Sequence, residues 1–197
     1  MYDSVAVLIL AAGASTRMEG KIKQLLPWNN QALLAHTIQQ AIKVTDKVTV
    51  VLGANSEIIK PKIPQYIEIL DNPHWKNGMG SSIAFGVQHL LHTKNVMDGL
   101  LIMLVDQPLL DATYLNEMTN HFIAGEHKIV ATDYGGNLGV PAIFHSSVLP
   151  ELTELDQDFG ARHILLKYKS QAKIVFPKGR EVDIDTIEKY NQLIDNK

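Results

Sequence analysis

A chain of 197 residues, 46% of them hydrophobic, is long enough to bury about 70% of its unfolded surface in one globular domain. Its net charge of −3 gives no electrostatic footprint for nucleic acid or for an anionic membrane, so its basic residues should act locally and neither partner is expected. It has no cysteine, which excludes disulfides and thiolate metal sites, and with no secretory signal and no apolar run of about 18 residues the expected compartment is the cytoplasm.

Apolar runs alternate with amphipathic stretches along the chain, the pattern of βαβ units around a mostly parallel sheet. Strands are predicted at Val5 to Leu10, Lys47 to Leu52, Tyr66 to Leu70, Gly99 to Val105, Lys128 to Thr132, Ala142 to Phe144 and Ile174 to Phe176. Helices are predicted at Gln31 to Val44, Ser56 to Lys60, Ser81 to His92, Ala112 to Ala124, Gly160 to Lys167 and Thr186 to Ile194. Leu33, Leu34, Ile38, Ala41 and Ile42 recur at helical spacing and should face the sheet. Tyr134-Gly135-Gly136-Asn137 reads as a tight turn after which the chain leaves the parallel pattern. The expected fold is therefore α/β, a single Rossmann-like three-layer domain over 1–197 with a mostly parallel sheet and a small antiparallel element.

Val5 to Leu10 lacks polar alternation, as a strand buried on both faces would. Next come Ala11, Ala12, Gly13 and Ala14, with almost no side-chain bulk, and then Ser15, Thr16, Arg17, Lys21 and Lys23, which add donors and positive charge. Backbone N–H groups in such a loop can approach an anion, and phosphate is the expected guest. The segment is neither a P-loop nor a three-glycine dinucleotide fingerprint, and a plain small-residue turn with solvated cations would look similar. Ligands of open α/β sheets sit beyond the strands' carboxyl ends, where this loop meets the one after Val105.

Asp106 ends the run LLIMLV, well placed for a hard cation such as the Mg²⁺ that accompanies a nucleoside triphosphate, although Asp106-Gln107-Pro108 could simply begin a turn. In Val182-Asp183-Ile184-Asp185-Thr186 the two carboxylates point the same way if the segment is extended, which favours a cation nearby. Asp185 is equally suited to cap a helix starting at Thr186, with Glu188 in the capping-box position. Gly78 and Gly80 of NPHWKNGMGSSI form a loop able to wrap a planar group, and Ser81 and Ser82 open a helix. An ordinary glycine loop with a serine cap reads the same way. The eight histidines form no metal set; His89 and His92 share a helix face without a third ligand. Trp28 and Trp75 flank the site in sequence, and either could be core.

LAAGASTRM followed by KQLLPW resembles the signature of nucleotidyltransferases of the molybdenum-cofactor type, LAAGxSxRMG with a short spacer and then KxLLP. Glu19 stands where that pattern has glycine, and Gly20 with a spacer longer by one residue restores the turn. GMGSSI, DQP, GVP, DFGAR and DIDT follow in the family's order, so the resemblance spans nearly the whole chain and is nearest to the molybdenum cofactor cytidylyltransferases.

The resemblance implies the nucleotide-diphospho-sugar transferase-like fold and transfer of CMP from CTP to molybdenum-loaded molybdopterin, with release of pyrophosphate. Arg17, Lys23 and Asp106 would be catalytic. Leu10, Ala11, Ala12, Gly13, Ala14, Ser15, Arg17, Lys23, Gly78, Gly80, Ser81 and Ser82 would bind the nucleotide. Asp106 and Asp185 would hold Mg²⁺, or Mn²⁺, with Asp183 the less secure of the two C-terminal acids. Gly139, Pro141 and Arg162 would face the acceptor, although Arg162 could equally pair with Asp158 on its own helix. A molybdenum hydroxylase or its chaperone would receive the product. Guanylyl transfer to the same pterin, nucleotidyl transfer to a sugar or polyol phosphate, and a non-catalytic carrier or nucleotide sensor are the alternatives.

Overall fold

The computed structural model describes residues 4–93, 97–125, 127–156 and 159–195. Its strands are β1 (Val5–Leu10), β2 (Pro27–Trp28), β3 (Gln31–Ala32), β4 (Val48–Leu52), β5 (Glu68–Asp71), β6 (Gly99–Leu104), β7 (Ile129–Tyr134), β8 (Asn137–His145) and β9 (Ala172–Val175). Its α-helices are α1 (Leu33–Ile42), α2 (Ser56–Ile59), α3 (Met79–His92), α4 (Ala112–Ala124), α5 (Leu149–Leu152), α6 (Arg162–Lys167) and α7 (Ile187–Asp195). Seven strands form one sheet in the order β5-β4-β1-β6-β8-β7-β9, in which only β8 runs antiparallel to its neighbours. The pair β2-β3 is a separate small antiparallel element.

The unbroken apolar character of β1 follows from its central place between β4 and β6. Val5, Val7 and Ile9 enter a core shared with α1, α4 and α7, whereas Ala6, Leu8 and Leu10 enter a second core shared with α3, α5 and α6. Each face of the strand is thus covered by helices, and each fully buried Leu or Ile there contributes roughly 1.5–3 kcal/mol. No helix among the described residues is long and apolar enough to cross a membrane.

Several element boundaries depart from expectation for local reasons. The first helix starts at Leu33 rather than Gln31, because Asn29 and Asn30 both take positive φ and fold Gln31–Ala32 back onto Pro27–Trp28 as a hairpin. Ile42, expected to face the sheet, ends that helix and is 37% exposed. The third strand is shifted to Glu68–Asp71, which leaves Tyr66 outside it and exposed. The Gly135-Gly136 turn forms as expected, but β8 is nine residues long and extends back through Pro141 and Gly139 to Asn137, with a register shift on β7 between Ala131 and Thr132. The short helix α5, with proline in its first turn, had no predicted counterpart.

Candidate active site

The loops after β1 and β6 meet at the carboxyl edge of the sheet and enclose a cleft of about 560 Å³. Its walls include Leu10, Ala11, Ala12, Gly13, Ala14, Ser15, Arg17, Lys23, Gly78, Ser82, Asp106 and Asp185, so four motifs far apart in sequence converge on one space.

The phosphate-type loop is shaped from below by a residue that sequence reasoning passed over. Gln24 is 1% exposed, and its side-chain amide donates to the carbonyls of Ala11 (2.8 Å) and Gly13 (3.0 Å). In a planar peptide the N–H points away from the C=O, so holding those two carbonyls turns the N–H groups of Ala12 and Ala14 away from Gln24. The amide of Ala11 is already engaged, donating to Val51 O at 2.9 Å in the sheet. Ser15 holds φ = +58°, a left-handed conformation that costs a non-glycine residue on the order of 1–2 kcal/mol. Its hydroxyl offsets that strain, accepting from Lys23 N–H (3.0 Å) and donating to Gln24 Oε1 (3.1 Å). The only sequence signal for Gln24 was its place between Lys23 and Leu25 in the KQLLP segment.

Glu19 does not enter the cleft. Glu19 and Gly20 both have positive φ and form the centre of a turn closed by Lys21 N–H to Met18 O (2.9 Å), with the Glu19 side chain exposed and Met18 fully buried. The turn holds Glu19 and Gly20 clear of the cleft, and Arg17 and Lys23 on either side of it both line the cleft.

Two ion pairs cross the cleft. Lys23 Nζ lies 2.8 Å from Asp106 Oδ2, with both side chains less than one-fifth exposed, and Arg17 lies 3.3 Å from Asp185 Oδ1 at the open mouth. The capping role open to Asp185 falls instead to Thr186, whose hydroxyl accepts from Lys189 N–H at 3.3 Å, so Asp185 is left to face Arg17. The main chain joins the two acidic motifs through Ile184 N–H to Asp106 O at 2.8 Å, with Ile184 fully buried.

Asp183 is turned elsewhere. Its Oδ1 accepts from Gln107 Nε2 (2.9 Å), which also donates to Tyr134 OH (2.7 Å), and Tyr134 in turn donates to Val140 O. Although Asp183 as a residue is exposed, desolvation of its carboxyl in this crowded network raises its pKa. The hydrogen bond from Gln107 opposes that rise, and the charges of Asp106 and Asp185 reinforce it. Burial likewise pushes the Tyr134 phenol up, first among its causes.

Asp106 Oδ1 is buried and meets no hydrogen-bond partner, which is the condition of a carboxylate oxygen suited to a hard cation. Among the described residues no three His, Cys, Asp or Glu side chains stand close enough to hold a metal by themselves. Two carboxylates, with phosphate oxygens and water completing the shell, is the ligand pattern of Mg²⁺ in nucleotide sites, and Asp106 with Asp185 fits it.

Other expected site residues stand apart. Gly80 is buried within the first turn of α3 and does not line the cleft, whereas Gly78, at φ = +99°, sits where only glycine is at ease and does. Ser81 donates to His74 O (2.9 Å) and accepts from Asn72, facing a separate shallow depression. Ser82 reaches the cleft wall with its hydroxyl tied to the same Asn72 amide. Gly139 and Pro141 lie in β8 outside the cleft, the first under the Tyr134 ring and the second joined through a cis peptide to Val140. Arg162 is exposed at the start of α6, and Asp158, its alternative partner, lies outside the described residues. Trp28 is core, and Trp75 lines the cleft beside Lys76 and Met79. His89 contacts Glu68 at 2.8 Å and His92 the Gln88 carbonyl at 2.6 Å, both away from the cleft.

A glycine-bearing loop at the central strand of such a sheet, with cations and carboxylates facing across it, suits the phosphates of a nucleotide and an accompanying divalent ion. The chain belongs to the family described as MobA-like NTP transferase domain, which matches residues 7–172. It is 28% identical over 203 aligned positions to nicotine blue oxidoreductase of Paenarthrobacter nicotinovorans, with 96% of each chain covered. Among solved structures it is similar to Rv0371c of Mycobacterium tuberculosis H37Rv (TM-score 0.84, 23% identity, 99% of each chain), and to that protein's complex with manganese (TM-score 0.79, 22% identity, 99% of this chain and 100% of that one). Molybdopterin-guanine dinucleotide biosynthesis protein A of Archaeoglobus fulgidus also shares the fold (TM-score 0.71, 13% identity, 98% of this chain and all of that one).

Proposed function

We propose that this nucleotidyltransferase moves CMP from CTP to the terminal phosphate of a molybdenum-loaded molybdopterin, releasing pyrophosphate. The observation that carries the reading is the facing of loop cations and acidic groups across one cleft, Lys23 with Asp106 and Arg17 with Asp185. Lys23 and Arg17 neutralise the outer phosphates, the N–H groups of Ala12 and Ala14 contact them, and Asp106 and Asp185 hold the divalent ion. Such an ion, Mg²⁺ or Mn²⁺, supplies charge stabilisation at the α-phosphate. The attacking group is already a phosphate oxyanion, so alignment and neutralisation suffice and no general base is required. Similarity in fold to molybdopterin-guanine dinucleotide biosynthesis protein A supports the pterin acceptor, and the DQP and GMGSSI segments favour cytosine.

The test is pyrophosphate release with CTP, GTP, ATP and UTP in turn, with molybdenum-loaded molybdopterin as acceptor. Turnover with CTP alone is expected. Turnover with GTP alone would replace the cytidylyl assignment with the guanylyl one, and turnover only with a sugar or polyol phosphate acceptor would remove the pterin.

A further inference from the structure

The cleft has a direction. Along the carboxyl edge of the sheet, the segment carrying Trp75 follows β5, Gly53 follows β4, the phosphate-type loop follows β1 and Asp106 follows β6, which is also the spatial order of these strands. The paired charges of Lys23 and Asp106 therefore stand toward one end of the cleft, and Trp75 walls the other. Tyr134 and Gly139, on the strands beyond β6, do not line the cleft. A nucleoside whose phosphates lie on the loop beside Lys23 and Asp106 reaches Trp75 when it runs along the cleft away from the charged end.

Trp75 is held there by tight packing. A Cβ added at Gly53 would fall 2.5 Å from Trp75 Cβ and 2.9 Å from Ala12 O, so the root of the Trp75 side chain packs on Gly53, which itself lies against the start of the phosphate-type loop. Behind it, buried Asn72 donates to the hydroxyls of Ser81 and Ser82, each at 3.1 Å, and fixes the 72–82 segment. The residue is only partly buried, and Lys76 Nζ, itself on the cleft wall, stands 5.7 Å from the ring centroid. The indole thus meets an exposed lysine on the cleft side, while its root is packed on Gly53.

We infer that Trp75 is the stacking platform for the nucleotide base, giving affinity for the planar ring without choosing among bases. Stacking on an aromatic face tolerates any base, because every base presents a π face. The inference rests on the cleft being the nucleotide site, but not on cytosine being the base.

Trp28 is 2% exposed in the core, so a nucleotide-dependent change in tryptophan fluorescence reports on Trp75. Titrations of the full chain with CTP, GTP, ATP, UTP and inorganic tripolyphosphate, in the presence of Mg²⁺, separate ring from phosphate. The nucleotide that binds should change the emission and tripolyphosphate should leave it nearly unchanged. By calorimetry, Trp75→Leu should weaken the nucleotide about 5- to 100-fold and tripolyphosphate less than twofold, and Trp75→Phe, which keeps a π face and guards against misfolding, should fall between. Equal weakening of nucleotide and tripolyphosphate, or unchanged nucleotide affinity in Trp75→Leu, would overturn the platform. If tripolyphosphate fails to bind, or binds equally well to Lys23→Met, the nucleotide-site reading fails first. Binding of GTP in place of CTP would remove the cytidylyl proposal and leave this one standing.

Discussion

The two ion pairs across the cleft share one design and differ in environment. Each joins a cation of the phosphate-type loop to an acidic residue of a distant motif. Lys23 and Asp106 stand 2.8 Å apart with 15% and 17% of their side chains exposed, whereas Arg17 and Asp185 stand 3.3 Å apart with 66% and 49% exposed. Water and salt screen the outer pair, which should contribute at most about 1 kcal/mol to stability. The inner pair lies where charges interact more strongly and where a lone charge is costly. Burial, more than the hydrogen bond itself, should set how much each contact matters.

The largest effect should come from breaking the inner pair. In Lys23→Met, Asp106 loses its partner and the phosphates lose a buried cation, so turnover measured by pyrophosphate release should fall about 10²–10³-fold. Asp106→Asn should lose as much while the circular dichroism spectrum of each variant stays native. Turnover like the parent's in either variant would place the chemistry elsewhere.

Two tyrosines carry the same contrast to high pH. Tyr114 is fully buried, its hydroxyl within hydrogen-bond reach of Thr132 Oγ1 (2.9 Å) and Val175 O (3.2 Å), and burial pushes its phenol up to about 12. Its folded pKa lies above the ordinary value near 10, so this stability is fully present below pH 10 and is lost as pH rises through about 12. The loss should approach roughly 3 kcal/mol, from about 1.4 kcal/mol per pH unit, and Tyr114→Phe should flatten that part of a denaturant-unfolding profile. The pKa of Tyr168 is also raised, chiefly by its hydrogen bond to Glu151, but at the surface, and Tyr168→Phe should leave the profile unchanged. Equal flattening by both would mean that hydrogen bonding, and not burial, sets the scale.

Gln24 tests the support beneath the inner pair. Gln24→Ala strands the buried carbonyl of Ala11 and releases that of Gly13, and it should cost about 2 kcal/mol in urea unfolding. It should also raise the KM for nucleotide more than it lowers kcat, because the loop must then be ordered by the ligand.

What could be read from sequence divides along the same line between local pattern and distant contact. β1 and its two-sided burial follow from six apolar residues in a row, and Asp106 from its place at the end of another such run. The Gly135-Gly136 turn is written in its residues. Gln24 was not legible, because its role depends on carbonyls 11 and 13 positions away folding back over it. The extent of β8 was hidden because Gly139 and Pro141 read as loop residues, and only the pairing with β7 draws them into a strand. Periodicity placed Ile42 on the inner face, but α1 ends there, before anything can cover it.

The outer pair should give the smallest change in stability and the most informative change in binding. Arg17→Ala removes an exposed contact, so its unfolding free energy should differ from the parent's by less than about 0.5 kcal/mol at 0.15 M salt. The same guanidinium, once turned to a triphosphate, meets a far greater density of negative charge, so nucleotide affinity should still drop. A mouth-side contact is screened over a distance of about 8 Å at that ionic strength, so the affinity gap between parent and Arg17→Ala should narrow as salt is raised. The gap between parent and Lys23→Met, set in the sheltered part of the cleft, should persist. Isothermal titration at 0.05 and 0.5 M salt measures both gaps, and equal salt dependence in the two variants would mean that the inner and outer cations meet the nucleotide in the same environment.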